Sequence, residues 1–398
     1  MMRLRATSWL LLLHAAAGLR VHRESQISPG LAAPENARVD FPASRRMLRP
    51  GVLHFMFELK DQLQHPSIWG KFFSQALQGT YMAWAHCTDY HACENDYMMK
   101  LLGVRLVPKV YSARGADLVN PFAHMIRLAL AETSNLAAAG VPEKFILLSD
   151  ATLPVKPFSY IHWDQTSRTS SDICIAATNQ WAKATIDGAP LALPKHHQWL
   201  SLSRRDAKAL ADDWTPVTNL QNWTVTLKQG RWANHSRSVP RWRFKNGAWF
   251  TATDEEAMYA RAFGPVELRS EHDAATPMEM FNARRCITYV DWPHNVRPIS
   301  LLEPHMTHSL ENVTTSLLQT EVGVGLMQTY NVTTEVTLEL LKDNKTRFTI
   351  GKGILHPFLI EQIGEVGLKV FRKSQYLFAR KFSNCAQMPN FTDIMFSE

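Results

Sequence analysis

Apolar residues recur along the chain in two rhythms. Val52-Leu53-His54-Phe55-Met56-Phe57 is a short, nearly unbroken apolar run suited to a buried strand. Trp69 to Leu77 follows with helical spacing, and Tyr81-Met82-Ala83-Trp84-Ala85 predicts a second strand. Val104 to Tyr111 predicts a third strand and Phe122 to Ala139 a long Ala- and Leu-rich helix. Lys144-Phe145-Ile146-Leu147-Leu148-Ser149-Asp150 then predicts a fourth strand that ends in polar residues. Strands alternating with helices imply an α/β fold with a mostly parallel central sheet flanked by helices. Ligands of such sheets bind beyond the carboxyl ends of the strands, so Ser149 and Asp150 stand where a nucleotide is expected. Neither G-x-G-x-x-G nor a P-loop accompanies them.

Beyond residue 170 the rhythm weakens. Asp172 to Thr178 predicts a further strand, and Gln198 to Leu202 leads into a helix from about Arg205 to Trp214. Pro216 to Asn246 is polar and rich in Trp and Arg, which predicts a surface excursion. Trp249 to Tyr259 reads as a strand feeding a helix, with Thr253 and Glu256 as a T-x-x-E capping box. Within that box Asp254 and Glu255 complement the positive end of the helix. Glu255 is also a candidate base, since the helix dipole keeps it ionised and ready to accept a proton from a hydroxyl.

The first residues change the setting. Arg3 and Arg5 precede an apolar stretch from Trp9 to Leu19, the layout of a signal sequence, either cleaved or kept as a membrane anchor. Six N-x-S/T sites, at Asn222, Asn234, Asn312, Asn331, Asn344 and Asn390, point to the lumen of the secretory pathway and to glycosylation at the surface. The expected organisation is a signal or anchor at 1–19, a flexible stem at 20–50, a core at 51–302, a glycosylated insertion or lid at 303–375 and a C-terminal element at 376–398. With 398 residues, 45% of them apolar, the chain is long enough for one large core or two smaller ones. The net charge of +7 is scattered and not gathered into runs, which argues against a nucleic acid partner. Five cysteines, Cys87, Cys93, Cys174, Cys286 and Cys385, form no C-x-x-C motif and allow at most two internal disulfides. Cys87 and Cys93 are close enough to shut a small loop, and buried free thiols are an equal alternative.

Several segments taken in order resemble a known family. They are Val52 to Phe57, Trp69-x-x-Phe72-Phe73, Tyr81 to His86 and Lys144 to Asp150 with Pro154 and Phe158. Lys195-His196-His197-Gln198-Trp199 before Arg204, Asp254-Glu255, Thr288-Tyr289-Val290-Asp291-Trp292 and Leu377-Phe378-Ala379-Arg380-Lys381-Phe382 complete the series. This series resembles the core-2/I-branching β-1,6-N-acetylglucosaminyltransferase family, glycosyltransferase family 14, and most closely its plant-type branch. The resemblance implies a GT-A type fold, a lumenal Golgi setting and inverting transfer from a UDP-sugar, N-acetylglucosamine first, to a hydroxyl of a glycan or glycoprotein. It maps the catalytic base onto Glu255 and the donor-binding cation onto Lys381, with Arg380 beside it; Arg372 and Lys373 are near enough in sequence to assist. It implies no cofactor and no metal, with the UDP-sugar as co-substrate. The chain contains no Asp-x-Asp, so fixed cations would have to meet the charge that develops on departing UDP.

The resemblance also places Lys195 in the acceptor site, although His196 and His197 replace its usual Gly-Ser. Tyr289 and Trp292 would border the acceptor sugar, where a flat ring packs on a pyranose, or else belong to the core. The rival readings are a carbohydrate-binding protein that kept the fold without turnover and a xylosyl or glucuronosyl transferase of the same family. A glycoside hydrolase needs two facing carboxyl groups, and successive residues on one helix diverge by about 100°, so Asp254 and Glu255 cannot serve alone.

Overall fold

In a computed structural model of the protein, the described residues are 51–112, 118–174, 196–214, 286–290, 336–349 and 357–397. The backbone of strands at 182–186, 189–193, 222–226, 236–240 and 266–267 is described as well. Every described residue lies within the compact unit Leu48–Glu398.

The first strand, β1 (Val52–Leu59), is the centre of the fold. It pairs in parallel with β2 (Tyr81–Cys87) on one side and with β4 (Glu143–Ser149) on the other. A short β3 (Arg105–Leu106) extends the sheet beyond β2. The strands β5 (Leu153–Pro154), β6 (Ala182–Ile186) and β7 (Ala189–Leu193) lie elsewhere, and β8 (Ser201–Ser203) closes the far edge antiparallel to β4. The order is β3-β2-β1-β4-β8. The fold is thus α/β with a parallel-rich central sheet and flanking helices, as the alternation of elements predicts.

Both faces of the sheet are buried, which is why β1 and β4 read as continuous apolar runs. Leu53, Phe55, Phe57, Ile146 and Leu148 face one cluster, with Trp69, Phe72 and Phe73 from helix α1 (Pro66–Phe73). Met56, Phe145 and Leu147 face another, with Phe122, Met125 and Ile126 from a helix at Val119–Glu132 and Leu210 from a helix at Arg204–Asp213. The C-terminal residues Phe371, Tyr376, Phe378 and Phe382 join the first cluster, so the last strands complete the core that β1 begins. Each such side chain contributes roughly 1.5–3 kcal/mol when fully buried.

Some elements depart from expectation for local reasons. Pro66 begins α1 earlier than the periodicity suggests, since proline suits the first helical turn. The expected strand Val104–Tyr111 pairs only at Arg105–Leu106, because Pro108 has no N–H to give a ladder. Short helices at Tyr90–Asn95 and Tyr97–Leu101 were not anticipated, though Asp89 and Asp96 cap them from the sequence positions a helix start prefers. A helix at Phe158–Thr166 was also missed; its apolar positions form no clear stripe. Among the described residues, no helix is long and apolar enough to cross a membrane.

Candidate functional site at the carboxyl end of the sheet

The chain leaves β1 toward β2 and β3 on one side and returns to β4 on the other, so the strand order reverses beside β1. A crevice at the carboxyl ends of the strands is expected at such a reversal. Here Asp150, the first residue beyond β4, donates its N–H to the Glu58 carbonyl at 3.2 Å. The C-terminal segment is laced onto the same place. Strand Phe378–Arg380 pairs antiparallel with β5 and parallel with Thr288–Val290. The Phe382 N–H donates to Ala151 O at 3.1 Å, and Val155 N–H donates to Leu377 O at 2.9 Å.

This lacing brings Arg380 and Lys381 beside Asp150. Burial raises the Asp150 carboxyl above the ordinary carboxylate range, and the Arg380 and Lys381 charges oppose that rise. Arg380 is 8% exposed, and its guanidinium carbon stands 4.0 Å from the centre of the Trp199 ring.

On the other side of β1 the strand ends form a cleft of about 450 Å³ lined by Lys60, Thr88, Asp89, Tyr90, His91 and Lys109. That volume suits a ligand of nucleotide size. Four of the six residues, Thr88 to His91, fall inside a loop shut by the Cys87–Cys93 disulfide. The loop is tied to β1 by Thr88 N–H donating to Leu59 O at 3.0 Å and Asp89 N–H to Lys60 O at 2.7 Å. Lys109 Nζ donates to Thr88 O at 2.6 Å. Asp61 follows Lys60 and adds a negative field at Asp150, so the cleft and the Asp150 cluster border the same strand end. Lys60, Lys109, Arg380 and Lys381 share this edge with Asp61, Asp89 and Asp150, and Lys60 pairs with Asp61 at 3.8 Å.

The residues singled out in the sequence have mixed fates. Asp150, Arg380 and Lys381 come together at the carboxyl end of β4. Ser149 is at the right strand end, but it is buried and its hydroxyl is engaged with Thr152 Oγ1 at 3.0 Å. Tyr289 is placed otherwise than the acceptor-bordering role requires. Its side chain is fully buried, its hydroxyl is 2.7 Å from Thr337 Oγ1, and its ring meets Phe371 and Tyr376 edge to face. A ring drawn into an aromatic core has no face left for a sugar. Arg372, expected to assist with UDP, caps the C-terminal helix Phe391–Phe396 through Met395 O, Ile394 O and Ser397 O. Of the six glycosylation sites, Asn344 and Asn390 have exposed side chains, and Asn222 begins a strand at Asn222–Thr226. Glu255, Lys195, Trp292, Asn234, Asn312 and Asn331 lie outside the described residues.

Lys60, Lys109 and Trp199 were not singled out from the sequence. Lys60 was findable, since it directly follows the first strand; Trp199 stood inside a quoted motif without a role of its own. The cysteines are resolved as Cys87–Cys93 and Cys174–Cys286, and Cys385 is free and exposed. A scan against protein-family models finds none that matches the chain, and a search of curated proteins finds no match.

Proposed function

We propose that the chain is an inverting glycosyltransferase of GT-A type that moves a sugar from a UDP-sugar donor to a hydroxyl of a glycan or glycoprotein in the Golgi lumen. The observation that carries this reading is the meeting of Arg380 and Lys381 with Asp150 at the strand reversal, from distant parts of the chain. Fixed cations at that position suit a leaving group whose negative charge grows as it departs, because they need no reorganisation at the moment of reaction. The cleft between Lys60, Lys109 and the Thr88–His91 loop offers room for the rest of the nucleotide.

In this mechanism Glu255 takes the proton of the acceptor hydroxyl, and the acceptor oxygen bonds to the anomeric carbon from the face opposite UDP. The bond from that carbon to the UDP oxygen breaks, and its electron pair leaves with UDP beside Arg380 and Lys381. The configuration at the anomeric carbon inverts. No metal enters the scheme, so chelation by EDTA should leave the rate unchanged.

The test is a panel of UDP-sugars, UDP-N-acetylglucosamine, UDP-xylose and UDP-glucuronic acid among them, assayed for UDP release with and without glycan acceptors. Glu255→Gln should abolish transfer, by a factor of about 10² or more, while UDP affinity stays within roughly threefold. Full activity in that variant would sink the assignment of the base. UDP binding without turnover on any donor would instead mark a carbohydrate- or nucleotide-binding protein.

A further inference from the structure

Arg380 does not stand on the sheet edge alone. Its guanidinium lies over the Trp199 indole, and both residues are nearly enclosed. A cation held against an aromatic face away from water gains several times more than one at an exposed site. The polar atom of the ring does not explain why the ring is there. Trp199 Nε1 is buried and has no hydrogen-bond partner among the described residues. Burying an unsatisfied donor costs stability, so the position is held by the ring's place in the apolar cluster and by the face it gives the guanidinium.

The ring is tightly placed. Leu147 N–H donates to Leu200 O at 2.9 Å, and Ser201 pairs with Ile146 on β4 and bridges to Asp172. His197 N–H donates to Cys174 O at 2.9 Å. Cys174 is in turn disulfide-bonded to Cys286, just ahead of the strand Thr288–Val290 in which Val290 is the register partner of Arg380. One set of tethers therefore positions both the indole and the strand that carries the guanidinium.

We propose that Trp199 is the positioning residue for Arg380, fixing the plane of the guanidinium so that its charge is held where a departing nucleoside diphosphate becomes more negative. This rests on the reading of the carboxyl-end site as a UDP-sugar site. A guanidinium donates all its hydrogen bonds within its own plane, so a ring stacked on its face orients it without consuming a donor. UDP carries more charge on its terminal phosphate than an intact UDP-sugar does. Loss of the platform should therefore weaken UDP more than UDP-sugar, whereas a purely structural defect would weaken both alike.

The experiment is calorimetric titration of the full chain with UDP and with UDP-N-acetylglucosamine, alongside thermal melts. Trp199→Leu keeps an apolar side chain and removes the ring face; it should weaken UDP by roughly 10- to 30-fold. Trp199→Phe keeps a face, so UDP affinity should stay within about threefold, with a modest fall in the melt from the volume the smaller ring leaves empty. Arg380→Lys, which keeps the charge and loses the planar group, should lose about as much as Trp199→Leu. Adding Trp199→Leu to Arg380→Gln should cost nothing further, as expected of a residue acting through another. Equal losses for UDP and UDP-sugar, equal losses for Leu and Phe, or additive losses in the double variant would overturn the positioning role while leaving UDP binding intact. Failure of the unaltered chain to bind UDP would overturn the nucleotide reading, and this role with it.

Discussion

The two ends of the central sheet hold the same kinds of residue in different settings. At the amino end, His54 on β1 is enclosed, with its ring stacked on Phe145 at 4.4 Å. Trp84 Nε1 donates to His54 Nδ1 at 3.3 Å, so the other ring nitrogen carries the proton toward Glu143 Oε1 at 3.0 Å. The second oxygen of Glu143 accepts from Arg204, which also donates to Thr133 Oγ1 and Leu130 O. Next to it, Lys144 is buried among Asp164, Asp172 and Asp206, with burial pushing its amine down to about 8. Each of these charges has its partner inside the fold. At the carboxyl end, Lys60, Lys109, Arg380 and Lys381 line an edge that opens to a cleft, with Asp61, Asp89 and Asp150 among them. The amino-end charges are matched within the buried core, whereas at the carboxyl end Lys60 meets Asp61 at 3.8 Å and the Arg380 and Lys381 charges act on Asp150, at an edge beside open space.

The contrast can be broken first at the amino end. Arg204→Met would leave the buried Glu143 carboxylate without its cation, and breaking one partner of a buried pair costs about 3–5 kcal/mol. Urea denaturation should show that loss, while UDP affinity of the folded protein stays within about twofold. A large drop in UDP affinity would mean that the two ends are not separable.

At the carboxyl end, Cys87→Ser combined with Cys93→Ser opens the loop that bears Thr88 to His91. A loop this short should cost only about 2 kcal/mol of stability in the chain-entropy account. UDP binding, measured by the same titration, should nevertheless weaken by about tenfold, because the cleft would have to be ordered on binding. Unchanged affinity would show that this loop bears no ligand.

The smallest effect is in pH dependence. Burial lowers the pKa of His54, so the unfolded chain takes up a proton below about 6.5 that the native protein refuses, and stability falls as pH drops through that value. Glu143 acts in the same direction. Burial pushes its pKa up, but bonds from His54 and Thr133 together with the His54 and Arg204 charges hold it low, so its contribution is also lost in acid. Asp150, Asp164 and Asp172 are raised by burial and oppose this, regaining stability as they protonate. Comparing His54→Gln with the unaltered chain cancels the opposing groups. The variant should melt with a shallower decline between pH 7 and pH 5, and parallel melting curves would show that His54 does not set the slope.

The pattern of apolar runs was enough for the sheet. Val52–Phe57 and Lys144–Asp150 predicted two strands of a mostly parallel sheet, while their adjacency came only with the pairing of the structure. The short helices after Asp89 and Asp96 were less legible, since each is held by its cap, and the first also by the Cys87–Cys93 disulfide, more than by an apolar stripe. Tyr289 shows the limit of a motif. An aromatic residue at strand spacing fits a sugar platform and a core equally well, and only the arrival of Phe371 and Tyr376 around it decided for the core.

Arg380 and Lys381 were legible as a basic pair on an apolar segment, and the family resemblance suggested a ligand role for them. Their meeting with Asp150, and the stacking of Arg380 on Trp199, depended on strand pairings between residues far apart in the chain. Local sequence carries element type, because periodicity and turn chemistry act over a few residues. The electrostatic character of the site came from packing, because the charge around a side chain is set by whichever distant segments the core draws against it.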